Sequence, residues 1–179
     1  MSEADELKEA AERAKEVREL APVSLTMAIF AVLVATVTLL GHRAHTEEIL
    51  LQNKATDEWN FYQAKNMRRN NLEALDDVLT ALSNTKEERA EEVRKRFHDE
   101  IDKYRDQQKD IQTEAKDLEA DVQRVSRRAD RFDLGEVFLE IALVVTSITL
   151  LTERRAYWYF GIVLAVLGIG FAASAAFVH

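Results

Sequence analysis

Cysteine is absent from this chain, proline occurs once and glycine five times in 179 residues. Without cysteine the protein can form neither a disulfide nor a thiolate metal site, and its redox compartment is left open. The lone proline, Pro22, lies near the start of an apolar run, where the first turn of a helix tolerates it. From His42 to Leu134 there is neither glycine nor proline, so that stretch reads as nearly continuous helix. A basic patch is also lacking. The formal charge is -8, and no segment carries the electrostatic footprint of a nucleic-acid binder. No glycine-rich phosphate loop appears, and no histidine pair follows the helical spacing of zinc hydrolases. The chain therefore reads as non-enzymatic, with no cofactor.

What is present is divided sharply by composition. Charged residues crowd the middle, and long uncharged runs occupy both ends. Val23 to Leu40 carries no charge and, as a helix, covers roughly 27 Å, close to the hydrocarbon thickness of a bilayer. That run is too long for the core of a cleaved signal peptide, and the tail before it is acidic. Two further runs follow late in the chain. The expected class is all-α: an integral membrane protein with three transmembrane helices and a long antiparallel coiled-coil hairpin inserted between the first and second. The expected segments are a tail helix over 1–21, spans over 22–41, 134–151 and 157–178, a hairpin over 42–133, and a tight turn over 152–156. Tyr157, Trp158 and Tyr159 stand where interfacial aromatics gather. Gly161, Ala165, Gly168, Ala172 and Ala176 place small residues three or four apart on the third span. Such a face lets two backbones approach closely, and packing against the neighbouring helix is favoured over an oligomer contact.

The second arm of the hairpin has the clearest period. Phe97, Ile101, Tyr104, Gln108, Ile111, Ala115, Leu118, Val122, Val125, Ala129 and Phe132 alternate steps of four and three, the pattern of a left-handed coiled coil. Gln108 alone breaks its apolar character, as a residue that fixes register does. The first arm answers with Leu51, Ala55, Trp59 and Tyr62, then Leu72, Leu75, Leu79 and Leu82. Between them lies a polar patch in which Arg68, Arg69 and Asn70 are a candidate docking site for an unidentified protein partner. The bland alternative is a solvated face. A bend is expected at Ser83-Asn84-Thr85, with Thr85 and Glu88 as a capping box. The acidic tail, with Leu7, Ala10, Ala14, Val17 and Ala21 on one face, suits packing against a copy of itself better than adsorption to anionic lipid.

Asp133, Glu136 and Glu140 step by three and four and so line one helical face at the mouth of the second span. Glu140 lies about 9 Å inside the helix start, a depth at which a carboxylate is costly and faces a protein interior or a water cavity. Phase continued from Ala129 and Phe132 turns Glu136 towards the first span, where His42, Arg43, Thr36 and Thr38 lie at similar depth. Two readings compete. In one, Glu136 pairs with His42 or Arg43, and Glu140 is satisfied by a threonine hydroxyl or its own protonation. In the other, copies of Asp133, Glu136 and Glu140 from several subunits form acidic rings that attract cations. His42, His45 and Glu48 share spacing that allows a metal site, although interfacial histidines are more often plain polar groups.

The segment Ala55-Thr56-Asp57-Glu58-Trp59-Asn60-Phe61-Tyr62-Gln63-Ala64-Lys65, with Arg131-Phe132-Asp133-Leu134-Gly135-Glu136, Ser147-Ile148-Thr149-Leu150-Leu151-Thr152 and Tyr157-Trp158, resembles a bacterial membrane family. The family is that of domain of unknown function 4337. The resemblance covers nearly all of the chain after Pro22 and implies a bacterial inner-membrane protein, without an activity, cofactor or site. For topology, Lys8, Arg13, Lys15, Arg18, Arg154 and Arg155 favour a cytoplasmic tail and turn, against Arg43, Arg124, Arg127, Arg128 and Arg131 at the hairpin base. The short turn is the more informative of the two, because long hydrophilic segments translocate largely regardless of charge. The expected arrangement is a cytoplasmic N-terminus, an external hairpin and a self-associating protein held in the lipid bilayer.

Overall fold

The computed structural model describes the backbone of residues 3–82 and 88–178, and side chains over 20–82 and 91–178. The described chain is all helix: α1 (Glu3–Leu82), α2 (Glu88–Thr152), α3 (Arg155–Ser174) and a terminal 3₁₀ turn, Ala175–Phe177. No strand occurs among the described residues. The bend expected at Ser83 to Thr85, its capping box with Glu88, and the side chains of the tail lie outside the described residues. Each of the three helices contains a stretch long and apolar enough to cross a membrane.

Continuity exceeds the expectation in one place. Pro22 is not in a first turn but deep inside α1, which runs 80 residues without a break. Proline removes one backbone donor and normally kinks or ends a helix. Here the same turn gains hydroxyl donors: Ser24 Oγ donates to the Leu20 carbonyl at 3.3 Å and Thr26 Oγ1 to the Pro22 carbonyl at 2.7 Å. Pro22 deprives the Arg18 carbonyl of its helical donor, so these hydroxyls add bonds beside the gap rather than closing it.

The turn between α2 and α3 is shorter than expected. Only Glu153 and Arg154 separate the helices. Glu153 takes φ 57°, the left-handed conformation that reverses the chain, and its N–H donates to the Thr149 carbonyl at 2.8 Å. The cost of that conformation in a residue with a Cβ is on the order of 1–3 kcal/mol.

The fold divides into two compact units, and α1 and α2 each supply residues to both. The first comprises Met1–Thr46 and Arg124–His179. Its core is built from Phe30, Val37, Ala44, Ala129, Phe132, Leu139 and Ala142, joined by Ala165 and Ala175 from the end of the chain. Here α3 packs on α2 through glycine. A Cβ on Gly168 would lie 2.8 Å from the Gly135 carbonyl oxygen, one on Gly135 2.9 Å from that of Gly168, and one on Gly161 would collide with Thr146 Oγ1. Phe138 and Phe171 stack at 5.4 Å beside this contact. Gly161, Ala165 and Gly168 of the small-residue face are thus buried inside the chain and Ala172 is half-buried, while Ala176 is exposed.

The second unit is Glu47–Gln123. Its two helical arms run antiparallel: Trp59 meets Glu119, Lys65 and Arg69 meet the neighbouring Gln107 and Gln108, and Asp76 meets His98. Every residue of the second-arm repeat, from Phe97 to Phe132, is buried or half-buried. Ile101 and Ile111 are 5% and 7% exposed, and each such burial stabilises by about 1.5–3 kcal/mol. The first arm departs from expectation. Ala55 is buried and Trp59, Tyr62, Leu72 and Leu79 are half-buried, but Leu75 and Leu82 are exposed. Their places towards α2 are taken by Arg69, Glu73 and Asp76, whose helical phase continues from Tyr62.

Candidate functional site

The three carboxylates of α2 have different fates. Asp133 meets His45 of α1, whose Nε2 lies 3.1 Å and 3.3 Å from the two carboxylate oxygens. Glu136 is half-buried, and the Thr38 hydroxyl donates to its Oε1 at 2.6 Å. That hydroxyl also lies 2.9 Å from the Val34 carbonyl, so one proton serves two acceptors. Glu140 is exposed and has no hydrogen-bond or ion-pair partner among the described residues. Neither a threonine of its own chain nor any other described side chain satisfies it.

The pairing expected for Glu136 is therefore corrected. His42 and Arg43 are exposed and do not meet it. Helical phase is the reason. Thr38, Gly41, Ala44 and His45 form the stripe of α1 that meets α2, and positions 42 and 43 turn away from it. In the sequence His45 is legible only as a possible metal ligand beside His42 and Glu48. Among the described residues no group of three histidine, aspartate or glutamate side chains is placed to hold a metal ion.

The patch at Arg68, Arg69 and Asn70 is not one surface. Arg69 turns towards α2, where Nη1 donates to Gln108 Oε1 at 2.8 Å and Nη2 to Asn66 Oδ1 at 2.8 Å. Glu73 lies 3.5 Å from its Nε. Arg68 and Asn70 are exposed. Gln108 itself is 4% exposed, and its Nε2 has no partner, so the amide is held by its oxygen alone. The expected register residue thus sits in a polar layer supplied by both arms.

Three features had no clear sequence signal. Lys65 Nζ sits 5.2 Å and 5.0 Å from the ring centres of Phe61 and Tyr104 while donating to Gln107 at 2.9 Å. Trp59 Nε1–H donates to Glu119 at 2.8 Å and Trp158 Nε1–H to Thr26 at 3.2 Å. Indole donors find partners when partly buried, but the partner's identity is a matter of tertiary contact.

The arrangement offers one carboxylate met by a histidine, one met by a hydroxyl and one left exposed, beside close helix contacts. The profile of the family described as domain of unknown function (DUF4337) matches residues 19–178. No curated protein and no solved structure matches the chain.

Proposed function

Because the chain belongs to the domain of unknown function 4337 family, whose description carries no activity, we propose from its side chains that it is a non-enzymatic protein of homo-oligomeric assembly or partner scaffolding. In this reading it is anchored in a bacterial inner membrane by three spans, at about 22–41 and 134–151 and in α3. The second unit is then an antiparallel coiled-coil hairpin in the aqueous phase. The N-terminus is cytoplasmic and the hairpin external, a reading supported by Arg154 and Arg155 in the short turn. Its partners are the lipid bilayer, a second copy and a protein that meets the hairpin; nucleic acid and cofactors have no part.

The observation that carries this reading is the one-sidedness of the second unit. Among its described residues the large exposed apolar side chains all belong to α1: Ile49, Leu50, Phe61, Met67, Leu75, Val78 and Leu82. The arm of α2 exposes polar residues and charges of both signs instead. A hairpin that solvates one arm and leaves apolar surface on the other is suited to receiving another helix. The mass of the purified full chain in lipid nanodiscs tests this. Particles with two or more copies are expected at micromolar concentration; a single 20.5 kDa chain under all conditions would sink homo-oligomeric assembly.

The unpartnered Glu140 favours a second reading, a cation channel or transporter with Asp133, Glu136 and Glu140 along its path. Cation flux in liposomes that Glu140→Gln abolishes would replace the scaffold with that pore.

A further inference from the structure

Four residues of α1 and four of α2 form outward strips in the apolar part of the first unit. Val32, Thr36, Leu39 and Arg43 step by four and three along α1, and all are exposed. Asp133, Val137, Glu140 and Val144 do the same along α2. The valines and the leucine are half to two-thirds exposed: 66% at Val32, 53% at Leu39, 50% at Val137 and 60% at Val144. Arg43 has no ion-pair or hydrogen-bond partner among the described residues, and neither has Glu140.

The in-chain contacts set which residues of the two antiparallel helices share a depth. Thr38 is level with Glu136, and His45 with Asp133. With the mean of those two registers continued residue for residue along the antiparallel helices, Arg43 is level with Asp133, Leu39 with Val137, Thr36 with Glu140 and Val32 with Val144. The match holds to within about two residues, roughly 3 Å of helix rise. Copies inserted in one membrane share one orientation, so α1 of one copy and α2 of the next are antiparallel and keep this depth register.

We infer that the α1 strip of one copy docks on the α2 strip of the next, with Arg43 on Asp133 and the Thr36 hydroxyl on Glu140. The occupant of each strip is a second copy of this chain, and the inference rests on the assembly reading above, whose interface it names. Charge complementarity selects that occupant: a cation without a partner meets a carboxylate, and a hydroxyl meets the unpartnered acid. The chain already uses the same chemistry once. Thr38 bonds the Val34 carbonyl and Glu136, and Thr36, which bonds the Val32 carbonyl at 2.8 Å, is poised to serve Glu140 in the same way. Between these polar pairs Leu39 meets Val137, and beyond the second pair Val32 meets Val144. An exposed carboxylate in lipid is costly, and a donor from the neighbour removes that cost. The two strips differ, so the contact is head-to-tail and generates a ring when the rotation closes.

The absence of cysteine makes the test clean. The full chain carrying Leu39→Cys and Val137→Cys, oxidised in native membranes, should give a ladder of dimers, trimers and higher species. A mixture of the two single variants should stop at dimers, and neither single variant alone should crosslink. Self-crosslinking of either single variant would mean a two-fold or axial face and overturn the inference. Particles of several copies without any crosslink at this pair or the adjacent Thr36 and Val137 pair would overturn this interface and leave the assembly reading standing. A monomeric mass would sink both. As a second measure, Arg43→Asp and Asp133→Arg should each weaken assembly about tenfold, while the two together in one chain restore it. The contact between Asp133 and His45 is lost in the Asp133 single variant and in the exchanged chain alike, so a merely structural role of Asp133 would not be rescued.

Discussion

A carboxylate beside an apolar core is held by the donors that helical phase brings to it, and Glu136 has one. The Thr38 hydroxyl is its partner, so Thr38→Val, which keeps the shape and deletes the donor, leaves Glu136 half-buried and unsatisfied. Interhelical hydrogen bonds between apolar helices are worth about 0.5–1.5 kcal/mol. A loss of that size is expected in denaturant titrations of the detergent-solubilised protein. Glu136→Gln should cost less, because an amide can donate to the threonine oxygen and leave the hydroxyl proton for the Val34 carbonyl. Equal losses for the two variants would show that the contact contributes little. The residue scale is also where the sequence misleads. Thr38 and Glu136 both stand out at similar depth, but charge matches Glu136 to His42 and Arg43. Charge is a property of a residue; facing is a property of its phase, and a shift of three positions, from His42 to His45, separates an outward imidazole from one bonded to Asp133.

Helices of this chain meet by two kinds of seam, and each has its own test. The contact between α2 and α3 is backbone on backbone. Gly168→Ala would put a methyl 2.8 Å from the Gly135 carbonyl oxygen, which belongs to a helix and cannot swing aside. Overpacking of this kind costs about 1–3 kcal/mol. Gly170, two residues on, has open space where a Cβ would stand, with nothing within 4 Å, so Gly170→Ala should be neutral or stabilising by up to about 1 kcal/mol. Thermal unfolding of the pair in detergent separates a packing glycine from an incidental one. The seam between α1 and α2 in the second unit is polar at its centre. Gln108→Leu alone strips Arg69 of an acceptor and should cost about 1–3 kcal/mol. Arg69→Leu combined with it should recover most of that loss, since apolar pairs commonly replace buried polar ones without penalty. Additive losses in this double-mutant cycle would mean the two side chains act independently. The second-arm repeat is legible because all but one of its members are apolar or aromatic. The first arm is legible only in part: Leu51, Ala55, Trp59, Tyr62, Leu72 and Leu79 are buried or half-buried, but Arg69, Glu73 and Asp76 share the facing phase while Leu75 and Leu82 are exposed.

On the scale of the whole molecule, two compositions share two long helices. An apolar part and a charged part are strung along α1 and again along α2, and contacts gather them into separate units. Helix content, the number of long apolar stretches and the strong second-arm repeat follow from the sequence by itself. They depend on hydrogen bonds and side-chain spacing within a few turns, and the near-absence of proline and glycine leaves no competing local structure. Tertiary structure alone decided the rest. It carried α1 through Pro22, reversed the chain on Glu153, packed Gly161 and Gly168 of α3 against α2, and gave Glu136 to Thr38 while leaving Glu140 exposed. The helix contacts among those outcomes turn on the relative phase and depth of helices whose facing residues lie tens of positions apart, and periodicity along one helix carries no information about the rotation of its neighbour.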